Sequence, residues 1–284
     1  MNRISISQAW AYATSFFSDQ HSNHAVVIIG IGVVVPTVLQ ILLGGGAAAL
    51  DPAALASGAN AFAALGATAF LLGLIAFVLQ TGSYFASWRM GLMPGQESIG
   101  SAISYGMVAA LPVILVFIGF ILVFGIVFGV LFGGAMIPAL IGGDASAAGA
   151  AGAAGMVLLA LPLIVAFGLW LSARFCVMGP IMAAGRSYNP LPALAESWRM
   201  TAASQWKLMG YFLLLIIVAM VLGVVLSLVF GVSLLAGGGA GAGSVVLLTI
   251  MSALIGIPIA YLYVGIPVGI YKALGGDNAS DIFA

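Results

Sequence analysis

Charge is what this sequence has least of. Its 284 residues include seven Lys or Arg and seven Asp or Glu, 5% of the chain, with a formal net charge of zero. An ordinary soluble domain carries roughly a quarter charged residues. So few charges cannot cover a water-exposed surface, and most of the surface is expected to face lipid. The zero balance also excludes a global attraction to nucleic acid. Cysteine is nearly absent. Cys176 stands alone, so no intramolecular disulfide can form and the redox compartment cannot be read. The only histidines, His21 and His24, have an H-x-x-H spacing. Asp19 is the one further ligand nearby, so no metal site and no cofactor is expected. The first 25 residues lack a basic start followed by an unbroken apolar run. A cleavable leader is therefore not expected, and the first span should remain as the insertion signal. No carboxylate interrupts the apolar runs, which argues against an ion-coupled pump. No Gly-rich stretch leads into Lys-Ser/Thr, so no nucleotide loop is expected.

Apolar residues make up 63% of the chain, and 39 glycines are interleaved with Val, Leu, Ile and Phe. That mixture is typical of packed membrane helices. A spanning helix needs about 20 apolar residues. Six runs qualify: Val26 to Leu43, Ala61 to Phe85, Met107 to Phe132, Ala154 to Met178, Leu208 to Leu235 and Val245 to Tyr271. They are too long for barrel strands and show no period of two. Pro36, Pro112, Pro162, Pro258 and Pro267 fall in or near them, and lipid tolerates such residues as kinks. The predicted fold is all-α, a polytopic membrane helical bundle with six transmembrane helices and short cytoplasmic interfacial helices. Residues 1–284 form a single integral membrane domain.

Orientation follows from the basic residues. Arg3, Arg89, Arg174, Arg186, Arg199, Lys207 and Lys272 all fall on one side of a six-span topology, whereas the opposite loops carry Asp51 and Asp144 and no Lys or Arg. By the positive-inside rule both termini are expected in the cytoplasm, the membrane being a bacterial inner membrane. Trp10, Trp88, Trp198 and Trp206 fall on the same side and are expected to be interfacial anchors. The opposite loops, such as Gly142 to Gly155, are too short and too rich in Gly, Ala and Ser for a further domain.

A threefold pattern divides the chain into residues 1–90, 91–187 and 188–284. Each unit has an amphipathic segment and two spans. The first segment is Ile6 to Phe17, with Ile6, Ala9, Trp10, Ala13, Phe16 and Phe17 on one helical face. The second is Pro94 to Tyr105, with Ile99, Ala102 and Ile103 on one face. The third is Pro190 to Trp206, with Asn189 as N-cap and Pro190 in the first helical position. Small residues recur every four positions at Gly125, Gly129 and Gly133, and at Ala219, Gly223, Ser227 and Gly231. Such ladders are expected to allow close helix packing, within the bundle or between subunits.

Arg174 is the most informative single residue. It lies in an otherwise uncharged run from Met156 to Ala184 that is too long for one straight span, so a break is expected near Gly179-Pro180. The guanidinium either snorkels to the headgroups or faces the bundle and binds an anionic group. Arg186, Arg199 and Lys207, with Trp198 and Trp206, compose a basic, aromatic patch suited to anionic headgroups. Arg89 with Glu97 is a smaller version. Glu196 and Arg199 are spaced to pair on one helix. Gln40 and Gln80 are expected to hydrogen-bond between helices.

The stretch RFCVMGPIMAAGRSYNPLPALAESWRMTAASQWKLMG, Arg174 to Gly210, resembles the membrane domain associated with some bacterial glycerophosphodiester phosphodiesterases. That family has an Arg at a span end, a Pro several residues on, an amphipathic A-L-x-x-S-W segment and a Trp before the next span. Arg174, Pro180, Ala193, Leu194, Ser197, Trp198 and Trp206 fit it. The match covers about 40 residues and is diffuse elsewhere. Ala183, Ala184 and Gly185 stand where the family often has a Glu. The resemblance implies membrane architecture in a lipid-related context. It does not imply hydrolysis, because two His and seven scattered acids cannot supply a catalytic barrel. The chain therefore reads as a non-enzymatic integral membrane protein that interacts with membrane lipids or scaffolds a complex, as a homo-oligomer or with another membrane protein. The alternative is a transporter or flippase-like permease for an anionic or lipidic substrate. An intramembrane enzyme would need clustered nucleophile and base residues.

Overall fold

The computed structural model describes residues 4–18, 20–43, 66–141, 147–236 and 242–276, with side chains 43, 66–69, 130–160, 222 and 225–248 left out. Helices α1 (Ile6–Ser15) and α2 (His21–Ala25) lead through a π-helical stretch, Val26–Val34, into α3 (Val35–Leu43). They are followed by α4 (Gly66–Leu92), α5 (Ile99–Ile141), α6 (Ala147–Phe175) and α7 (Met178–Ala184). Next come α8 (Pro190–Thr201), a 3₁₀ turn (Ala202–Ser204), α9 (Gln205–Ala236) and α10 (Ala242–Ala273). No strand occurs among the described residues. Among the described residues six helical stretches are long and apolar enough to cross a membrane: His21–Leu42, Phe70–Leu92, Ile99–Gly129, Leu161–Ala184, Pro190–Val221 and Thr249–Ala273. The chain is an all-α, multi-pass membrane bundle.

The flanks of α5 and α9 leave Leu115, Ile121, Ile126, Leu214 and Val224 exposed. In water such a surface would be costly, and against hydrocarbon it carries no penalty. Among the described side chains, two buried clusters lie at the basic end of the bundle. Phe85, Trp88, Tyr105, Met178, Met182 and Val264 form one buried cluster there, and Ile4, Val177, Leu208, Ile270 and Tyr271 another.

The predicted apolar face of α1 is real. Ala9, Ala13 and Phe16 are buried, and α1 lies along α10. Two glycines of α10 create the seat, because a Cβ on Gly265 would press on Phe17, just past α1, and one on Gly269 would press on the Ala9 carbonyl. Trp10, assigned to the same face, stays exposed.

Three expectations shift. Pro94 to Tyr105 does not make a separate interfacial helix. Ser98 caps Ser101, and α5 then runs unbroken for 43 residues. At ~1.5 Å per residue that is about 65 Å, twice the hydrocarbon thickness. Its first turns are thus an extension of the span. The break after the fourth span comes at Cys176-Val177, just before the expected Gly179-Pro180, and α7 follows it. The expected glycine ladders are open: a Cβ at Gly125, Gly129 or Gly223 would meet nothing within 4 Å. Gly133, Ser227 and Gly231 lie outside the described side chains, and Arg3, Asp51 and Asp144 outside the described residues. Close approach instead uses Gly106 of α5 against the Gly82 carbonyl of α4, and Gly179 of α7 against the Trp88 ring.

Candidate functional site

The described cations gather around the basic end, where the short helices α1, α7 and α8 form a collar. Two buried arginines organise it. Arg89 closes α4. A turn from Met93 to Gln96 follows, with the Gln96 N–H on the Met93 carbonyl and Gly95 at φ 78°. Pro94 and Gly95 are suited to the second and third positions of such a turn. This fold-back places Glu97 against the arginine eight residues earlier. Arg89 donates from Nε at 3.1 Å and from Nη2 at 2.7 Å to Glu97 Oε1. Its Nη1 donates to the Ala183 carbonyl at 2.7 Å and the Ala184 carbonyl at 3.2 Å. Those carbonyls belong to the last turn of α7, whose acceptors have no helical partner. Ser101 Oγ donates to Glu97 Oε2 at 2.5 Å, and Arg186 Nη1 lies 3.3 Å from Oε1. The Ser101 hydroxyl, then the Arg89 fork, holds the Glu97 carboxyl below its ordinary value.

Arg186 reaches this pair from a strained position. Ser187 N–H bonds the Met182 carbonyl and Arg186 N–H the Ala183 carbonyl, the pattern that ends helices with a left-handed residue. Arg186 occupies that position at φ 48°. The same closure ends α10, where Gly275 has φ 89° and Gly276 N–H bonds the Tyr271 carbonyl. Glycine adopts this conformation freely, whereas arginine is strained by roughly 1 kcal/mol. Tyr105 adds a further tie by donating to the Ser187 carbonyl at 3.1 Å.

Arg174 closes α6 in different surroundings. The residue is 9% exposed. Its Nη1 donates to the Trp198 carbonyl at 3.2 Å, and the guanidinium lies 4.6 Å from the centre of the Trp198 ring. Nε is buried without a hydrogen-bond partner. Among the described residues no carboxylate pairs with it. Trp198 packs on Trp170 and Phe175 at centroid distances of 5.1 and 5.7 Å. The Arg174 backbone carbonyl, freed by the helix break, accepts from Ser197 Oγ at 2.7 Å and Thr201 Oγ1 at 3.4 Å. Asn189 caps α8 as predicted, its Oδ1 accepting from Leu191 N–H at 3.1 Å. That capped start presents Ala193, Ser197 and Thr201, spaced one turn apart, to α6 and α7.

The other predicted site residues are dispersed around the collar. Arg199 pairs with Glu196 at 2.8 Å on the outer face of α8. Lys207 donates to the Ile4 carbonyl at 3.3 Å, and Ile4 N–H donates to Ser204 Oγ at 3.1 Å, fastening the N-terminal segment to the head of α9. Arg186, Arg199 and Lys207 thus have separate partners, although Arg186 and Arg199 keep most of their side chains exposed. Trp206 is 74% exposed, and Trp10 and Trp198 are partly so. Trp88, expected among the anchors, is a core residue at 8% exposure, donating to the Val264 carbonyl at 2.8 Å. His24 is buried between Phe16 and Phe17 with Nδ1 2.6 Å from Ser87 Oγ, while His21 is exposed. This pair is 63 residues apart in sequence and was not anticipated. Among the described residues no three metal-ligating side chains cluster.

Comparison with family models, with curated proteins and with solved structures finds no match to this chain.

Proposed function

We propose that this chain is a non-enzymatic protein of the bacterial cytoplasmic membrane that uses its collar, on the cytoplasmic side, to engage anionic lipid. One observation carries this reading. Arg89, Arg174, Arg186, Arg199 and Lys207 lie on one interconnected set of short helices and span ends, beside the exposed indoles of Trp10, Trp198 and Trp206. Indoles settle at the headgroup level, and basic side chains beside them face the anionic leaflet. The resemblance of the Arg174 to Gly210 stretch to phosphodiesterase-associated membrane domains supports the same lipid context.

Native mass spectrometry of the protein in mild detergent tests the proposal. With equal phosphatidylglycerol and phosphatidylcholine added, the wild type should retain more phosphatidylglycerol. Reversing charge at Arg186, Arg199 and Lys207 together should reduce that excess. Equal retention of both lipids by the wild type would reject the reading.

A further inference from the structure

The two buried arginines divide the collar's cations unequally. Arg89 spends all three guanidinium nitrogens on acceptors, one of them a carboxylate. Arg174 spends one, on a carbonyl. A cation withdrawn from water without an opposite charge is unfavourable. The Trp198 ring offsets part of that through its negative face. Neither nearby hydroxyl accepts from the guanidinium: Ser197 Oγ donates to the Arg174 carbonyl at 2.7 Å, and the shortest bond of Thr201 Oγ1 is to the Ser197 carbonyl at 2.8 Å. What remains is the edge formed by Nε and Nη2, two parallel N–H groups on one side of a planar fork. That edge matches two oxygens of a tetrahedral or planar oxyanion.

We infer that the Nε/Nη2 edge of Arg174 is a binding site for a phosphate-bearing ligand, held between α6 and α8 beneath the Trp198 indole. The inference rests on the lipid-engaging reading of the collar and deepens it. It assigns the selective contact to one residue and leaves Arg89 and Arg186 as structural. The site lies at the C-terminal end of α6, where the helix breaks within the apolar stretch Leu161–Ala184. The neighbouring aromatic rings Trp170, Phe175 and Phe120 continue from Trp198 down the α5/α6 side of the bundle, an apolar surface suited to the acyl chains of the same lipid. Because the Trp198 ring lies 4.6 Å from the guanidinium, its indole should report occupancy.

The test uses the full chain in lipid-free micelles. Trp198 emission is taken as the difference between wild type and W198F. Phosphatidylglycerol and inorganic phosphate are titrated separately, and retained lipid is counted by native mass spectrometry. Saturable binding of one phosphatidylglycerol, with a change in Trp198 emission, is expected. R174M should weaken it at least about 10-fold, the loss of a charge-assisted pair of hydrogen bonds. R174K keeps the charge and protects against a folding failure. It should still bind several-fold more weakly, because an ammonium lacks the fork. Saturation by inorganic phosphate alone would support the site and identify a soluble ligand. Unchanged lipid binding in both variants would overturn the inference. If binding then falls only in the triple charge reversal, the collar reading survives without this site. If no variant alters binding, both fail.

Discussion

The basic end of this bundle contains the same residue twice, buried to nearly the same depth at the end of a membrane helix, with opposite outcomes. Arg89 is 7% exposed and Arg174 9%. Around Arg89 the chain folds a carboxylate, a serine and two helix-end carbonyls into a closed network. Around Arg174 it supplies one carbonyl and one indole, and directs its nearby hydroxyls to the backbone instead. A buried guanidinium adds stability only when its charge and donors are met. By that standard Arg89 fastens α4 to α5 and α7. Arg174 does not fasten its helix in proportion to the cost of burying it. Its backbone, through Ser197 and Thr201, joins α6 to α8, and its side chain is left with donors to spare.

Matched methionine substitutions should separate the two most sharply. Arg89→Met removes the closer counterion of Glu97, leaving Arg186 at 3.3 Å, and strips the Ala183 and Ala184 carbonyls of their guanidinium donor; it should cost about 3 kcal/mol of unfolding free energy in micelles. Adding Glu97→Gln should recover part of that loss, because the remaining charge is removed with it. The same node sets the acid sensitivity. Glu97 titrates below its ordinary value when folded, so its contribution is fully present above the usual carboxylate range. It is lost as pH falls through that range towards the lowered folded value. Unfolding midpoints measured against pH should show this acid limb in the wild type and a flatter one in Glu97→Gln.

Smaller changes reach each node through its supports. Gly179→Ala would drive a Cβ into the Trp88 ring. That ring is fixed by its hydrogen bond to Val264 and by Phe85. The displaced α7 carries the carbonyls that receive Arg89, so a loss of about 1–3 kcal/mol is expected in the same unfolding assay. Gly125→Ala, with open space around it, should be neutral and serves as the control. Ser197→Ala removes the shorter hydroxyl bond to the Arg174 carbonyl and leaves the longer Thr201 bond. Its expected cost is about 1 kcal/mol.

Much of this arrangement was legible beforehand because it depends on local pattern. Apolar run length located six spans, and the Asn189-Pro190 pair marked the start of α8. Past that start the contacts are particular. Ala193 packs closely, Ser197 caps the broken helix, and Trp198 roofs Arg174. What stayed hidden depends on partners distant in sequence. Trp88 looks like an anchor by its place at a span end, and only the approach of α10 and Gly179 reveals a core residue. Arg186 looks like a free surface cation until its left-handed backbone turns it towards Glu97. Gly106 carries no ladder spacing, yet the Gly82 carbonyl lies where its Cβ would be. His24 and Ser87 meet where the π-helical stretch lies along α4, with Gly32 set close against Ser83.

The smallest expected effect on stability is also the most discriminating. Arg174→Met in lipid-free micelles deletes a hydrogen bond to the Trp198 carbonyl and a cation–π contact. It also relieves the burial of an unneutralised charge and fills the space with an apolar chain. These contributions oppose one another, and replacing buried ionic groups with apolar side chains is often neutral or favourable. The unfolding free energy should therefore change by less than about 1 kcal/mol, in contrast to Arg89→Met. Adding phosphatidylglycerol should then separate the proteins. Wild type should gain stability with lipid concentration, because a ligand bound only by the folded state shifts the equilibrium by mass action. Arg174→Met should gain little. A lipid-free loss as large as that of Arg89→Met would show that the two arginines do the same structural work, and the contrast between them would fall.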